Sequence, residues 1–216
     1  MAWIVEKGPV QRLVLGQPIM TTSLLAELRG LLADLPPCPL VISSNHPRIF
    51  LAGAHLGQIA ALDEATSRDY ALTGREVMAL IASHPAPVVA AVDGVCAGGG
   101  FDLVLSCDAI VAGPAAAFAH PGVGRGLVTG WGGTLALRQR ARPALAAGIL
   151  LQAELVTAVA LASMGLAHSV AGEPTTAATA EASRLASLHS SRLGLWRTFR
   201  TRCFVDSFRA FVVHNE

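Results

Sequence analysis

Val88-Val89-Ala90-Ala91-Val92 is an uninterrupted apolar run of strand length. It leads through Asp93-Gly94-Val95-Cys96-Ala97 into three successive glycines and then into Phe101-Asp102-Leu103-Val104-Leu105. An apolar run without alternation suits a strand covered on both faces, the condition of a parallel sheet flanked by helices. The glycines then mark the point where a strand ends and a helix begins. Parallel strands need crossover connections, so the pattern predicts an α/β fold.

The rest of the chain continues the alternation. Trp3–Val5 and Val10–Leu15, parted by Lys7-Gly8-Pro9, read as an opening hairpin. Thr21 or Thr22 caps a helix that carries Leu24, Leu25, Leu28, Leu31, Leu32 and Leu35 at helical spacing, and Pro36-Pro37 ends it. Leu40–Ser43 predicts a short buried strand and Asp69–Ser83 a second amphipathic helix. Short strands are expected at 109–111 and 117–118, helices at 130–142, 143–152 and 156–164, and a last sheet strand at 168–171. Two terminal helices are expected at 175–188 and 193–213. Residues 1–172 form the core in this reading, and 173–216 a C-terminal helical segment of the same domain.

With 52% hydrophobic and only 14% charged residues, the surface carries little charge for an isolated sphere, which points to burial in an oligomer. A net charge of +1 makes no demand for nucleic acid, an anionic membrane or an acidic substrate. The longest charge-free stretch, Leu155–Gly172, is interrupted by Thr157, Ser163, Gly165 and His168 and reads as helix, turn and strand, with no membrane span. The first residues show no signal peptide, which predicts a cytoplasmic protein. Cys38, Cys96, Cys107 and Cys203 lack C-x-x-C spacing and sit among apolar neighbours, so reduced buried thiols are expected and no metal site.

Three glycines at a strand-to-helix junction let other groups approach the backbone closely, and the first helical turn leaves N–H groups unpaired. With the helix dipole, such a turn can bind an oxyanion, and Gly99 N–H could stabilise negative charge on a carbonyl oxygen that becomes an enolate. Tight packing of helix against strand is the other use of the same turn. Neither G-x-G-x-x-G nor a Gly-Lys-Ser/Thr phosphate loop is present. A second loop, Phe50-Leu51-Ala52-Gly53-Ala54-His55-Leu56, again sets a small residue and a glycine where a main-chain donor can face a ligand.

These two loops, followed by Phe118-Ala119-His120-Pro121-Gly122-Val123-Gly124-Arg125-Gly126 and by Gly130-Trp131-Gly132-Gly133-Thr134, resemble the crotonase, or enoyl-CoA hydratase/isomerase, family. The resemblance runs from about Val10 to Val170 and includes Met164-Gly165-Leu166-Ala167. It implies a β-β-α spiral with two roughly perpendicular sheets, outer helices, and a homotrimer or dimer of trimers. It also implies an oxyanion hole made by the N–H groups of Ala54 and Gly99. Coenzyme A or acyl carrier protein thioesters are the implied substrates, without a further cofactor, bound around Ala52, Gly53, His55, Gly98, Gly122 and Trp131.

The sequence departs from the family at the two positions where its hydratases carry glutamates, which are Asp102 and Gly122 here. Asp102 keeps a carboxylate with one methylene less, fit for a general base or for a first-turn helix acid. Gly122 has no proton to give, while His120, two residues before it, and His55, one residue after the proposed oxyanion donor Ala54, are imidazoles that could replace the lost acid. A single base supports a double-bond shift, and thioester hydrolysis and decarboxylation use the same oxyanion pair. A binding subunit that has lost the chemistry is a further reading. The region after Ala167 is short for the family, which leaves lid and assembly open. Arg184, Arg192, Arg197, Arg200, Arg202 and Arg209 read as a solvated face, a phosphate or carrier-protein contact, or an RNA contact.

Overall fold

The computed structural model describes residues 3–153 and 155–188. The expected helix at 193–213, with Arg192, Arg197, Arg200, Arg202, Arg209 and Cys203, lies outside the described residues.

Two sheets share the strands by a simple rule. β1 (Trp3–Glu6) and β2 (Gln11–Leu15) form the opening antiparallel hairpin. Each following turn of chain then places one strand in a large sheet and the next in a small one. The pairs are β3 (Leu40–Ser44) with β4 (Ile49–Leu51), β5 (Val88–Val92) with β6 (Val95–Ala97), and β7 (Ala109–Ala112) with β8 (Ala117–Ala119). β9 (Val156–Thr157) joins the small sheet and β10 (Ser169–Val170) the large one. The orders are β1-β2-β3-β5-β7-β10 and β4-β6-β8-β9, parallel except for β1/β2 and β8/β9. This is the α/β fold of two sheets and outer helices expected from the sequence.

All five residues of β5 are buried, as the apolar run demands: Val88, Ala90 and Val92 face the main core, and Val89 and Ala91 face a second layer completed by Ala178 and Ala182. Those alanines belong to α8 (Pro174–Ser187), which covers β3, β5 and β7 from outside. The other layer holds α1 (Thr22–Asp34) and α3 (Glu64–Ser83), packed on each other. Thr21 caps α1 by accepting the Leu24 N–H, and the helix stops just before Pro36. Burying each of Leu24, Leu25, Leu28 and Leu32 contributes roughly 1.5–3 kcal/mol before chain entropy is charged.

The structure shifts several expected boundaries. α3 starts at Glu64 rather than Asp69, because Asp63 and Thr66 form a reciprocal capping box. Val95–Ala97 is a separate strand of the small sheet, β6, and Gly98 links it to α4 (Gly99–Ser106). The helix expected at 130–142 is α5 (Gly133–Arg140), since Gly132 adopts a left-handed φ of 104° and starts it late. The stretch 156–164 divides into β9 and α7 (Ala158–Ser163), with Thr157 as cap. α6 (Pro143–Gln152) lies where expected, and α2 (Leu56–Ala60) is a short helix the sequence reading did not include. No helix among the described residues is long and apolar enough to cross a membrane.

Candidate active site

The small sheet brings the two glycine loops together. Ala52-Gly53-Ala54 leaves β4, Gly98 leaves its parallel neighbour β6, and the pairing of β4 with β6 sets the loops side by side. Gly53 has a φ of 94°, and a Cβ there would sit 2.8 Å from Ala97 O and 3.1 Å from Gly99 N. Only glycine allows that approach without strain. Met20 N–H donates to Gly53 O and His55 N–H donates to Met20 O, both in a parallel bridge centred on Ala54. Among the described residues, neither Ala54 N–H nor Gly99 N–H donates to another protein group.

Gly99 opens α4, and Trp131 lies against it. An added methyl at Gly99 would overlap the benzenoid edge of the indole, and one at Gly74 of α3 would overlap its pyrrole edge. Trp131 is thus wedged between two helices, buried to 3% exposure and tilted against Tyr70 at 5.5 Å. Arg75 Nε donates to Gly130 O and holds the approach to Trp131 on α3. At the other end of α4, Arg140 donates to Leu105 O and Cys107 O, filling carbonyls that the helix leaves open.

Asp102 lies one turn into α4 and is 1% exposed. Thr129 donates its hydroxyl to Oδ2, and the ring Nε2 of His120 lies 3.3 Å from Oδ1. That separation is ion-pair distance, but the angle is not that of a hydrogen bond, so both atoms lack a protein hydrogen-bond partner. Burial pushes the Asp102 carboxyl up to about 7, against the Thr129 hydroxyl and the Gly133 and Trp131 N–H groups, which pull it down. Burial likewise holds His120 down to about 4. The favoured state near neutrality is therefore an uncharged imidazole beside a carboxyl poised between its two forms. His120 follows β8, where Gly98 N–H donates to Ala119 O, and its ring stacks on Phe101 at 5.1 Å.

A cleft of about 820 Å³ opens over these groups. Its wall includes Ala52, Ala54, His55, Gly98, Gly99 and Asp102, and also His120, Gly122, Thr129 and Trp131. Gly53 stands behind the wall as the spacer between the loops. Asp102 is the one carboxylate in that wall among the described residues. His55 is exposed and caps α2, its Nδ1 accepting the Gln58 N–H at 3.2 Å. Gly122 lies in a 3-10 turn, Pro121–Arg125, without a positive φ. The constraint at Gly122 is spatial: a Cβ would sit 2.9 Å from Leu127 O, and the Leu127 N–H donates to Gly122 O. The sequence reading passed over Thr129, a lone hydroxyl in a loop with no spacing signal to mark it. No group of three or more potential metal ligands occurs among the described residues.

Residues 20–198 match the family described as enoyl-CoA hydratase/isomerase. The chain is 34% identical over 131 residues to a crotonyl-CoA hydratase of Syntrophomonas wolfei, covering 61% of this chain and 50% of that one. It is 35% identical over 148 residues to the 2,3-dehydroadipyl-CoA hydratase of Escherichia coli, covering 68% and 56%. It thus spans about half the length of the curated relatives it matches. Among solved structures, Pseudomonas aeruginosa DspI superposes with a TM-score of 0.86 at 27% identity, covering all of this chain and 96% of that one. The match across 20–198 takes in both glycine loops and the segment from His120 to Trp131, and on it the chain belongs to the enoyl-CoA hydratase/isomerase family.

Proposed function

We propose that the protein is an enoyl-CoA hydratase/isomerase-like enzyme that converts an acyl thioester through an enolate. The observation that carries this reading is the juxtaposition, in one cleft, of two undonated main-chain N–H groups and one buried carboxylate. The thioester carbonyl accepts from Ala54 and Gly99 N–H, which stabilise negative charge as a proton leaves the substrate carbon. Asp102, ionised, takes that proton. Its pKa near 7 suits both taking a proton and returning it near neutral pH.

With glycine at position 122, one carboxylate serves both half-reactions. In a double-bond shift, Asp102 removes a proton from the carbon next to the carbonyl of a 3-enoyl thioester, the electron pair delocalises into a dienolate, and Asp102, after exchange of its proton with water, returns one at the far carbon. Water addition on the same site places the hydroxyl at the β carbon and a proton at the α carbon. His120, 3.3 Å from Asp102 Oδ1, is the titratable group beside that base. The substrate carrier is coenzyme A or an acyl carrier protein, and no further cofactor enters the reaction. Trimeric assembly and a cytoplasmic location belong to the same reading.

The test is a mass-spectrometric screen of 2-enoyl, 3-enoyl, 3-hydroxyacyl and malonyl thioesters with the purified protein and with Asp102→Asn. Double-bond migration or hydration that disappears in Asp102→Asn supports the proposal. Binding without turnover of any thioester supports a ligand-binding subunit instead, and free acid or loss of carbon dioxide supports hydrolysis or decarboxylation.

A further inference from the structure

The two oxygens of Asp102 face different groups, Oδ2 accepting from Thr129 and Oδ1 lying beside His120 without a hydrogen bond. Thr129 reaches Oδ2 from the loop before α5, while His120 reaches Oδ1 from the end of β8. A hydroxyl that donates to one carboxylate oxygen lowers that oxygen's basicity and fixes the plane of the group, because a carboxylate on a short side chain otherwise rotates about its last bond. Gly133 closes the remaining side: a methyl there would overlap Asp102 Oδ1 and approach His120 Cε1 to 3.0 Å. The loop that carries Thr129 is itself tethered, since Arg75 Nε donates to the carbonyl of the next residue, Gly130, at 2.9 Å. The hydroxyl is therefore delivered to a defined place by α3 rather than by the helix that carries Asp102.

We propose that Thr129 is a positioning residue, whose hydroxyl holds Asp102 Oδ2 and so fixes the plane of the carboxyl that takes the substrate proton and returns it. This rests on the reading of Asp102 as the base and adds what makes a short aspartate serve there. A hydrogen bond from Thr129 to the ionised carboxyl favours that form and offsets part of the penalty of burial. Loss of the hydroxyl lets the carboxyl rotate and raises the pH at which it ionises. The other titratable groups turned toward Asp102 are His120, neutral above about pH 4, and Cys96 of β6, whose thiol burial pushes well up. Arg140 lies at the far end of α4 on Leu105 O, and Arg125 borders the cleft.

The test compares wild type with Thr129→Val, which keeps shape and removes the donor, and Thr129→Ser, which keeps the donor. Two readouts are taken. One is the pH profile of kcat/KM on the best thioester from the screen. The other, independent of activity, is the titration of the Asp102 carboxyl carbon by 13C NMR in protein labelled at aspartate, with the signal assigned by its absence in Asp102→Asn. Thr129→Val is expected to move the carboxyl titration and the acid limb of the profile upward together by about one pH unit, with kcat/KM near pH 7 falling roughly fivefold as the ionised fraction drops. Thr129→Ser restores both. An unchanged titration and acid limb in Thr129→Val overturns the inference. If valine prevents folding, Thr129→Ala carries the same two readouts. Full activity in Asp102→Asn, with the carboxyl titration still moved by Thr129→Val, would overturn the base assignment while leaving the Thr129 contact intact.

Discussion

Replacing Gly53 by alanine tests whether the distance between the two glycine loops sets the chemistry. The backbone at Gly53 has a φ of 94°, where an L residue is strained by about 1–3 kcal/mol. The new methyl would also sit 2.8 Å from Ala97 O and 3.1 Å from Gly99 N, against ordinary contact from 3.4 Å. Both of these neighbours are backbone atoms in or next to a strand of the small sheet, so neither swings away as a side chain end would. The loops must part by about half an ångström, which spreads the Ala54 and Gly99 N–H groups. Loss of one oxyanion donor costs roughly 100- to 1,000-fold in kcat, so a partial displacement is expected to cost about 10- to 100-fold. Urea denaturation and steady-state kinetics on the same preparation separate the two effects. A variant that loses about 1–3 kcal/mol of stability yet keeps full turnover would refute the role of these two amides. A variant unchanged in both would refute the described turn.

Two further outcomes follow from the site. Asp102 is protonated in the native state up to about pH 7 but ionises in the unfolded chain above its ordinary value near 3.8. The native state then holds the extra proton, so Asp102 makes wild type progressively less stable as pH rises through that window, a penalty fully present above pH 7. The stability of Asp102→Asn relative to wild type, measured by denaturation from pH 4 to 8, is therefore expected to rise with pH up to about 7 and then level off, and a flat difference would contradict burial as the dominant effect on the carboxyl. Gly122→Glu restores a carboxylate in sequence, but its Cβ meets Leu127 O at 2.9 Å, so we expect a loss of roughly 1–3 kcal/mol of stability and no gain in water addition. A stable Gly122→Glu protein with increased hydration would show that the 3-10 turn yields easily.

The elements that follow burial were readable from the residues, whereas the caps Asp63 and Thr157 were not. β5 is an unbroken apolar run because it is covered on both faces, and the leucines of α1 fall at 3.6-residue spacing because they meet α3. Elements whose form depends on distant partners were not. Val95-Cys96-Ala97 reads only as the end of a strand running into the glycines, and its place in a second sheet comes from lying between β4 and β8. Gly74 reads as an ordinary helical residue and costs about 1 kcal/mol relative to alanine there, yet it is the slot for Trp131, 57 positions away in the chain. In the site, Ala54, Gly99, Asp102 and His120 were identified from motif order, and the fold gathers them into one cleft. His55 was marked as a candidate acid because of its neighbours, while its Nδ1 caps α2. Thr129 had no signal at all, since what singles it out is its contact with a residue 27 positions earlier.

Proton exchange at the carbon next to the thioester carbonyl tests the account most directly, because it reads enolate formation whatever product the enzyme finally releases. A 3-enoyl thioester incubated with the protein in deuterium oxide and followed by mass spectrometry is expected to gain deuterium at that carbon, at a rate that falls at least 100-fold in Asp102→Asn. No exchange above the buffer rate with wild type, or the same rate in Asp102→Asn, would contradict a cleft in which Ala54 and Gly99 hold the oxyanion and Asp102 moves the proton.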